Sequence, residues 1–248
     1  MEKTLIVGLH GFLGKGQDWK PLSEAVRKEA YLLNLEFWFP DLLTPRSTLS
    51  PDLSFSTWIQ KFSNELDHME YNRCVLMGYS MGGRLALHAL IKHPRLFDGA
   101  IFFSTNPLPP PDEEMESRRK NDEDWARRFA TENWETLLED WDKQPVFAGE
   151  KCHPSRSEDK YSRRFLSEAL VNWSLCNHEV TLNDLQKLKA PTLWFVGERD
   201  NKFLAIVNFM KQRGIPADFQ VVQDRAHRLG FTDNPEIVEK LVHFLNSL

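Results

Sequence analysis

The sequence predicts an α/β fold: a mainly parallel sheet, flanked by helices and interrupted by an inserted helical cap. Three observations predict it. Between residues 4 and 104 short apolar runs alternate with amphipathic segments, the pattern of successive βα units. After Asn106 the stretch PLPPP puts four prolines in five residues, and a charged, Trp-rich segment without strand alternation follows. Apolar runs then return at TLWFVG and DFQVVQD. The core is therefore read as residues 1–106 and 183–248, and residues 107–182 as the cap.

The elements follow in order. LIVGL is a first strand ending in a glycine-rich turn, and the helix DWKPLSEAVRKEA begins at Gln17 or Asp18. LNLEFWF is a second strand, and FSTWIQKFSNELDHM carries apolar residues near helical spacing. CVLMGY and GAIFFS are further strands, separated by the helical run GRLALHALIKH. From about Asp112 to Leu182 the chain reads as helical. TLWFVG, bounded by Pro191 and Gly197, resumes the sheet, and NPEIVEKLVHFLNSL closes it with an amphipathic helix that starts at Asn234 or Pro235. Ligands bind at the carboxyl ends of strands in open parallel sheets, and HGFLGKG, PDL and SMGG occupy those ends.

Composition narrows the function. With 248 residues, 41% hydrophobic and 27% charged, the chain is a globular domain with ample material for a core. A net charge of -5 argues against non-specific nucleic-acid binding and leaves room for a local basic cluster that recognises a small anion. No stretch has the length of a membrane span, and MEKTLIVGLHGF reads as a strand rather than a signal peptide. Cys74, Cys152 and Cys176 have no framework spacing and read as free thiols in a reducing compartment, so a cytoplasmic location is expected.

GYSMG, residues 78–82, has the form G-x-S-x-G at a strand-turn-helix junction. This elbow pushes the hydroxyl of Ser80 above the sheet, and Gly78, Gly82 and Gly83 leave space where the new helix packs on its strand. A serine nucleophile needs a base, and the base needs an orienting carboxylate. Asp200, beyond TLWFVG, and His227, in DRAHRLGF beyond the next strand, supply them in the Ser, Asp, His order of an α/β-hydrolase. Asp224, three residues before His227, reads as a turn residue, and Glu198 is a weaker competitor. His88, His93 and His243 sit in helices; His68, His153 and His178 lack strand-end context; His10 shapes the HG turn. The backbone N–H groups of Phe12, with Leu13 as the alternative, and of Met81 would form an oxyanion hole. Neither a metal motif nor a dinucleotide or P-loop pattern is present, so no metal and no cofactor are expected.

Arg84 stands one helical turn after Ser80, where an ordinary esterase needs no guanidinium. The cap adds Arg118, Arg119, Arg127, Arg128, Arg163 and Arg164 near Trp125, Trp134, Trp141 and Trp173; those turned inward would bind carboxylates in bidentate fashion. GYSMGGRLAL, RRKNDEDWARRF, DWDKQPVF and GERDNKF together resemble the 2-succinyl-6-hydroxy-2,4-cyclohexadiene-1-carboxylate (SHCHC) synthases of menaquinone and phylloquinone biosynthesis, members of the α/β-hydrolase superfamily. The resemblance covers nearly the whole chain.

That resemblance implies a lyase eliminating pyruvate from 2-succinyl-5-enolpyruvyl-6-hydroxy-3-cyclohexene-1-carboxylate, a small substrate with several carboxylates. It implies Ser80, His227 and Asp200 as the triad, with Ser80 abstracting a proton and no acyl-enzyme formed. Arg84, Arg118, Trp141 and Tyr79 match substrate-binding positions, and a third arginine falls at Arg163 or Arg164, with Arg164 preferred. Two positions depart from the family pattern: Asp142 stands where an aromatic residue is usual, and Ala226 replaces a glycine before the histidine. Two other functions fit the same residues, a serine esterase or thioesterase working through an acyl-enzyme and a non-catalytic ligand receptor on the same scaffold.

Overall fold

The computed structural model describes residues 2–51, 54–147, 150, 156–229 and 233–248; Cys152 and His153 lie outside the described residues. Among the described residues six strands form one sheet: β1 (Lys3–Leu9), β2 (Asn34–Trp38), β3 (Arg73–Tyr79), β4 (Gly99–Phe103), β5 (Thr192–Gly197) and β6 (Asp218–Val222). Their order is β2-β1-β3-β4-β5-β6, and neighbouring strands pair in parallel. The chain thus runs outward from β1 to β2, then crosses to the other side of β1. The crevice between β1 and β3 is the switch point where open sheets of this kind bind ligands.

Helices cover both faces. On one, α1 (Lys20–Glu29) packs against the last helix of the chain, Pro235–Ser247. Leu22, Val26, Ile237 and Leu241 bury against Ile6, Val75, Met77 and Ile101 there. The expected start of α1 at residue 17 or 18 is instead a short 3-10 turn, Gly16–Trp19. Pro21, which has no N–H to donate, falls in the first turn of the α-helix, where none is needed. On the opposite face α2 (Phe55–Leu66) lies beside α3 (Met81–Lys92). Trp58 and Phe62 from α2 and Leu85 and Leu90 from α3 share a cluster with Leu5, Val7, Leu76 and Phe102.

Between β4 and β5 the chain inserts α4 (Asp112–Thr131), α5 (Trp134–Asp142) and α6 (Arg163–Asn172), then the short α7 (Leu182–Gln186). Local chemistry sets these boundaries. Three acids, Asp112, Glu113 and Glu114, occupy the first turn of α4, favoured by the positive end of the helix dipole. The side chains of Asn133 and Ser162 accept from Thr136 N and Phe165 N to cap α5 and α6. The insertion is not a detached lobe, since the fully buried Trp173 meets Trp58 of α2 edge-on at 5.8 Å. After the insertion come α8 (Asn201–Gln212), following β5, and α9 (Pro235–Ser247).

Cys74 is buried in β3, its thiol pushed up to about 12 by burial, and Cys176 is a free thiol as well. No helix among the described residues is long and apolar enough to cross a membrane.

Candidate active site

The strand ends gather the polar groups. Ser80 joins β3 to α3 with φ 51 and ψ -109, a conformation rarely adopted by a residue with a Cβ, so its side chain is held out of the turn. Close packing enforces the turn. A Cβ on Gly82 would lie 2.2 Å from Leu9 O, and one on Gly83 would lie 1.8 Å from Thr105 Oγ1.

His227, in the loop after β6, contacts Ser80 Oγ through Nε2 at 3.1 Å. Its Nδ1 meets Asp200 Oδ2 at 2.7 Å, so Nδ1 carries the hydrogen and Nε2 faces the serine as the acceptor. Asp200 caps α8 by accepting from Phe203 N at 3.4 Å. The imidazole lies among the rings of Phe203 (4.6 Å), Tyr79 (5.5 Å) and Phe147 (6.0 Å). Asp224 sits in an exposed turn at φ 54, its N–H donating to Glu198, and touches none of these groups.

The loop after β1 is held from three sides. His10 is fully buried; its Nε2 accepts from Leu42 N at 2.9 Å, and its Nδ1 donates to Gly11 O at 2.8 Å. Burial pushes this imidazole down to about 4, so it works as a neutral brace. Gly14 N closes a turn onto Gly11 O, and Tyr161 of the insertion donates its hydroxyl to Leu13 O at 2.9 Å. Phe12 and Met81 both line the resulting cavity. Met81 opens α3, so its N–H has no acceptor within that helix.

The cavity holds about 530 Å³, within the range of small-molecule sites. Ser80 and His227 lie on its core side; Arg118, Trp125 and Trp141 come from the insertion. Trp141 contacts Phe12 at 4.8 Å and Trp125 at 4.9 Å, giving an aromatic wall. Arg118 Nε donates to Asp122 Oδ2 at 2.8 Å, and the same oxygen accepts from Ser174 Oγ at 2.6 Å. The outer nitrogens of Arg118 bond to no described residue. Arg84 has no hydrogen bond or ion pair with any described residue. Burial and Arg118's positive charge, opposed by Asp122, push its guanidinium down to about 9, and at neutral pH it stays charged.

Three expectations differ from what is found. Arg164 does not line the cavity: its side chain is 67% exposed and pairs with Glu168. α6 meets the cavity through Ala169 and Leu170, and at about 100° per residue Arg164 falls on a different face. Arg163, the alternative, donates to Phe129 O and Glu132 O at the end of α4, a helix-capping contact away from the ligand space. Tyr79 is a packing partner of His227 and Gly11 and is not part of the cavity wall.

Asn106, Gln144 and Lys202 line the cavity without having been singled out in the sequence. Lys202 had a readable signal, its place in GERDNKF two residues after Asp200. Asp142, where an aromatic residue was expected, receives Arg156 at 2.6 Å and Arg228 at 2.5 Å. The insertion thereby grips the loop that carries His227, and Glu150 Oε1 adds to it by accepting from Ala226 N at 3.0 Å.

Comparison with known proteins agrees with this architecture. The family model for the alpha/beta hydrolase fold matches residues 4–234. A 2-succinyl-6-hydroxy-2,4-cyclohexadiene-1-carboxylate synthase of Yersinia pestis (strain Pestoides F) is 31% identical over 213 residues, covering 81% of this chain and 74% of the relative. A solved structure described as MenH from S. aureus superposes with a TM-score of 0.85 at 25% identity, covering 98% of this chain and 94% of that one. A thermophilic esterase from Thermogutta terrifontis, with malate bound, shares the fold at a TM-score of 0.68 and 20% identity, covering 100% of this chain and 90% of that one. The chain belongs to the α/β-hydrolase fold family and, within it, to the lyases of the 2-succinyl-6-hydroxy-2,4-cyclohexadiene-1-carboxylate synthase type.

Proposed function

We propose that the chain eliminates pyruvate from 2-succinyl-5-enolpyruvyl-6-hydroxy-3-cyclohexene-1-carboxylate, with Ser80, His227 and Asp200 as the proton-transfer unit and residues 107–182 as a cap over the site. One observation carries the reading. The hydrogen-bonded chain from Asp200 through His227 to Ser80 opens onto a cavity in which the Arg84 guanidinium makes no ion pair with any described residue. A half-buried cation of this kind calls for an anionic ligand.

The proton to be lost is on the ring carbon bearing the succinyl group, acidified by the adjacent ketone. His227 Nε2 draws the hydroxyl proton of Ser80 as Ser80 Oγ takes the ring proton, so no bond to carbon forms at Oγ. The C–H pair becomes the new ring double bond next to the succinyl group. The existing ring double bond shifts by one position, and the C–O bond to the enolpyruvyl group breaks. The departing enolate gains a proton and leaves as pyruvate. Charge that builds on the ketone oxygen meets the N–H groups of Phe12, whose loop the His10 brace holds, and of Met81 at the start of α3.

Arg84 and Arg118 hold carboxylates, and Trp141 flanks the ring. The reaction needs neither nucleic acid nor membrane, and we place it in the cytoplasm. Pyruvate release by the purified chain tests the reading, beside Ser80→Ala, Arg84→Ala and a neutral ester. Release that falls in both variants is expected. Ester turnover dependent on Ser80 but indifferent to Arg84, without pyruvate release, would overturn it in favour of a capped hydrolase.

A further inference from the structure

The substrate of the proposed reaction carries three carboxylates: on the ring, at the end of the succinyl chain and on the enolpyruvyl group. The expected third arginine is absent from the cavity, since Arg163 caps α4 and Arg164 faces outward beside Glu168. Among the described cavity-lining residues the cations are Arg84, Arg118 and Lys202.

We propose that Lys202, at the mouth of the cavity, is the third carboxylate-binding cation of this site and a determinant of its preference for tricarboxylate over dicarboxylate ligands. This inference rests on the anionic-substrate reading above and deepens it.

Lys202 stands two residues after Asp200 in the first turn of α8. The next residue, Phe203, packs on the His227 ring at 4.6 Å, so the lysine's backbone is tied to the catalytic histidine. Among the described residues its ammonium makes no hydrogen bond or ion pair. Its position is electrostatically uncomfortable without a ligand, because the amino end of a helix disfavours positive charge. Burial and the charge of Arg118 both lower its proton affinity, opposed by Glu114, Asp200 and Asp122.

Those three acids do not satisfy it. Asp200 is committed to His227, and Asp122 to Arg118 and Ser174. Glu114, in the first turn of α4, is the rival partner among the described residues that line the cavity. A carboxylate arriving between Lys202 and Arg118 would relieve both cations, and a lysine's long flexible stem suits a group bound at the rim.

The test uses the full chain with Lys202→Met, Lys202→Arg and Glu114→Gln. Two quantities are measured: KM and kcat for pyruvate release, and calorimetric Kd for propane-1,2,3-tricarboxylate and succinate. Lys202→Met is expected to raise KM and the tricarboxylate Kd by roughly tenfold or more while kcat changes less than about threefold. Succinate binding should change far less, Lys202→Arg should recover most of the loss, and Glu114→Gln should tighten binding or leave it unchanged. The dependence of KM on salt should flatten in Lys202→Met.

An unchanged tricarboxylate Kd in Lys202→Met overturns the proposal. So does a loss equal to that of Glu114→Gln, which would make Lys202 one half of a rim ion pair. Failure of the synthase reading looks different: the unaltered chain would release no pyruvate, while the calorimetry would still report whether Lys202 binds the third carboxylate.

Discussion

The two sides of the cavity are built on opposite terms. On the core side, the functional polar groups already hold one another: Asp200 binds His227, His227 reaches Ser80, and His10 braces the loop that carries Phe12. Arg84 is the exception there, and it faces the insertion. On the insertion side, Arg118 has one nitrogen fixed by Asp122 and the others unbonded among the described residues, and the surroundings are Trp125 and Trp141. A saturated network is rigid and preorganised, as proton transfer requires. An unsaturated one is waiting for its partner, as recognition requires. On the proposed reading, chemistry and selectivity are separable by side of the cavity.

Asp200→Asn breaks the core side and should have the largest effect. The amide holds the histidine in the wrong tautomer, so kcat for pyruvate release should fall by about 10²–10⁴ with KM little changed. A change confined to KM would remove Asp200 from the proton-transfer unit. Arg118→Ala acts on the other side and should invert the pattern. KM should rise roughly ten- to a hundredfold with kcat within a few-fold, because a charged hydrogen bond to the ground state is lost. Equal losses in kcat and kcat/KM would mean that the two sides are not separable.

Asp142 is where they meet. It binds Arg156 within the insertion and Arg228 directly after His227. Asp142→Ala should lower kcat by about three- to tenfold through a looser histidine loop, and combining it with Arg228→Ala should add little, since both remove one linkage. Full additivity in that double-mutant cycle would dissolve the linkage.

The same division explains what the sequence revealed. The core side follows from rules that act locally: a glycine elbow, a loop at each strand end, and a fixed order of serine, acid and histidine. Asp200 and His227 could be named because a parallel sheet brings the ends of β5 and β6 to the end of β3 without regard to loop detail. The insertion obeys no such rule. Arg163 and Arg164 are adjacent in sequence, and one residue of helical rotation sends one to the end of α4 and the other to solvent. Arg118 and Lys202 come to one cavity from α4 and α8, a meeting set by tertiary packing. Tyr79 misleads for a related reason: alternation along β3 turns it beneath the loop after β1, where it contacts Gly11 rather than ligand.

The smallest effect sought is on stability, where the insertion meets the core away from the cavity. His178 donates from Nε2 to Pro107 O at 2.7 Å, so its Nδ1 accepts from His88 Nε2 at 3.0 Å, and Phe55 stacks on His88 at 4.2 Å. A proton on His178 Nδ1 would set two donors against each other. Burial, then the charges of Arg84 and Lys92, push His88 down to about 3; burial, then His88 and Arg84, push His178 down to about 2 despite the bond to Pro107. The unfolded chain takes up these protons near the ordinary value of 6.5, whereas the folded chain refuses them until far lower pH. Stability is therefore full above that value and is lost as pH falls from it toward 3. His10, lowered to about 4, acts in the same direction. Asp18, raised from 3.8 to about 6 chiefly by burial, acts in the opposite one, losing stability as pH rises through that interval. The three histidines outweigh it, so Tm should drop by several degrees between pH 7 and pH 5. In His88→Leu/His178→Gln the glutamine can still donate to Pro107 O, and the slope of Tm against pH should flatten even if the absolute Tm is lower. An unchanged slope would remove this pair as a source of the acid sensitivity and leave His10, on the core side of the cavity, to account for it.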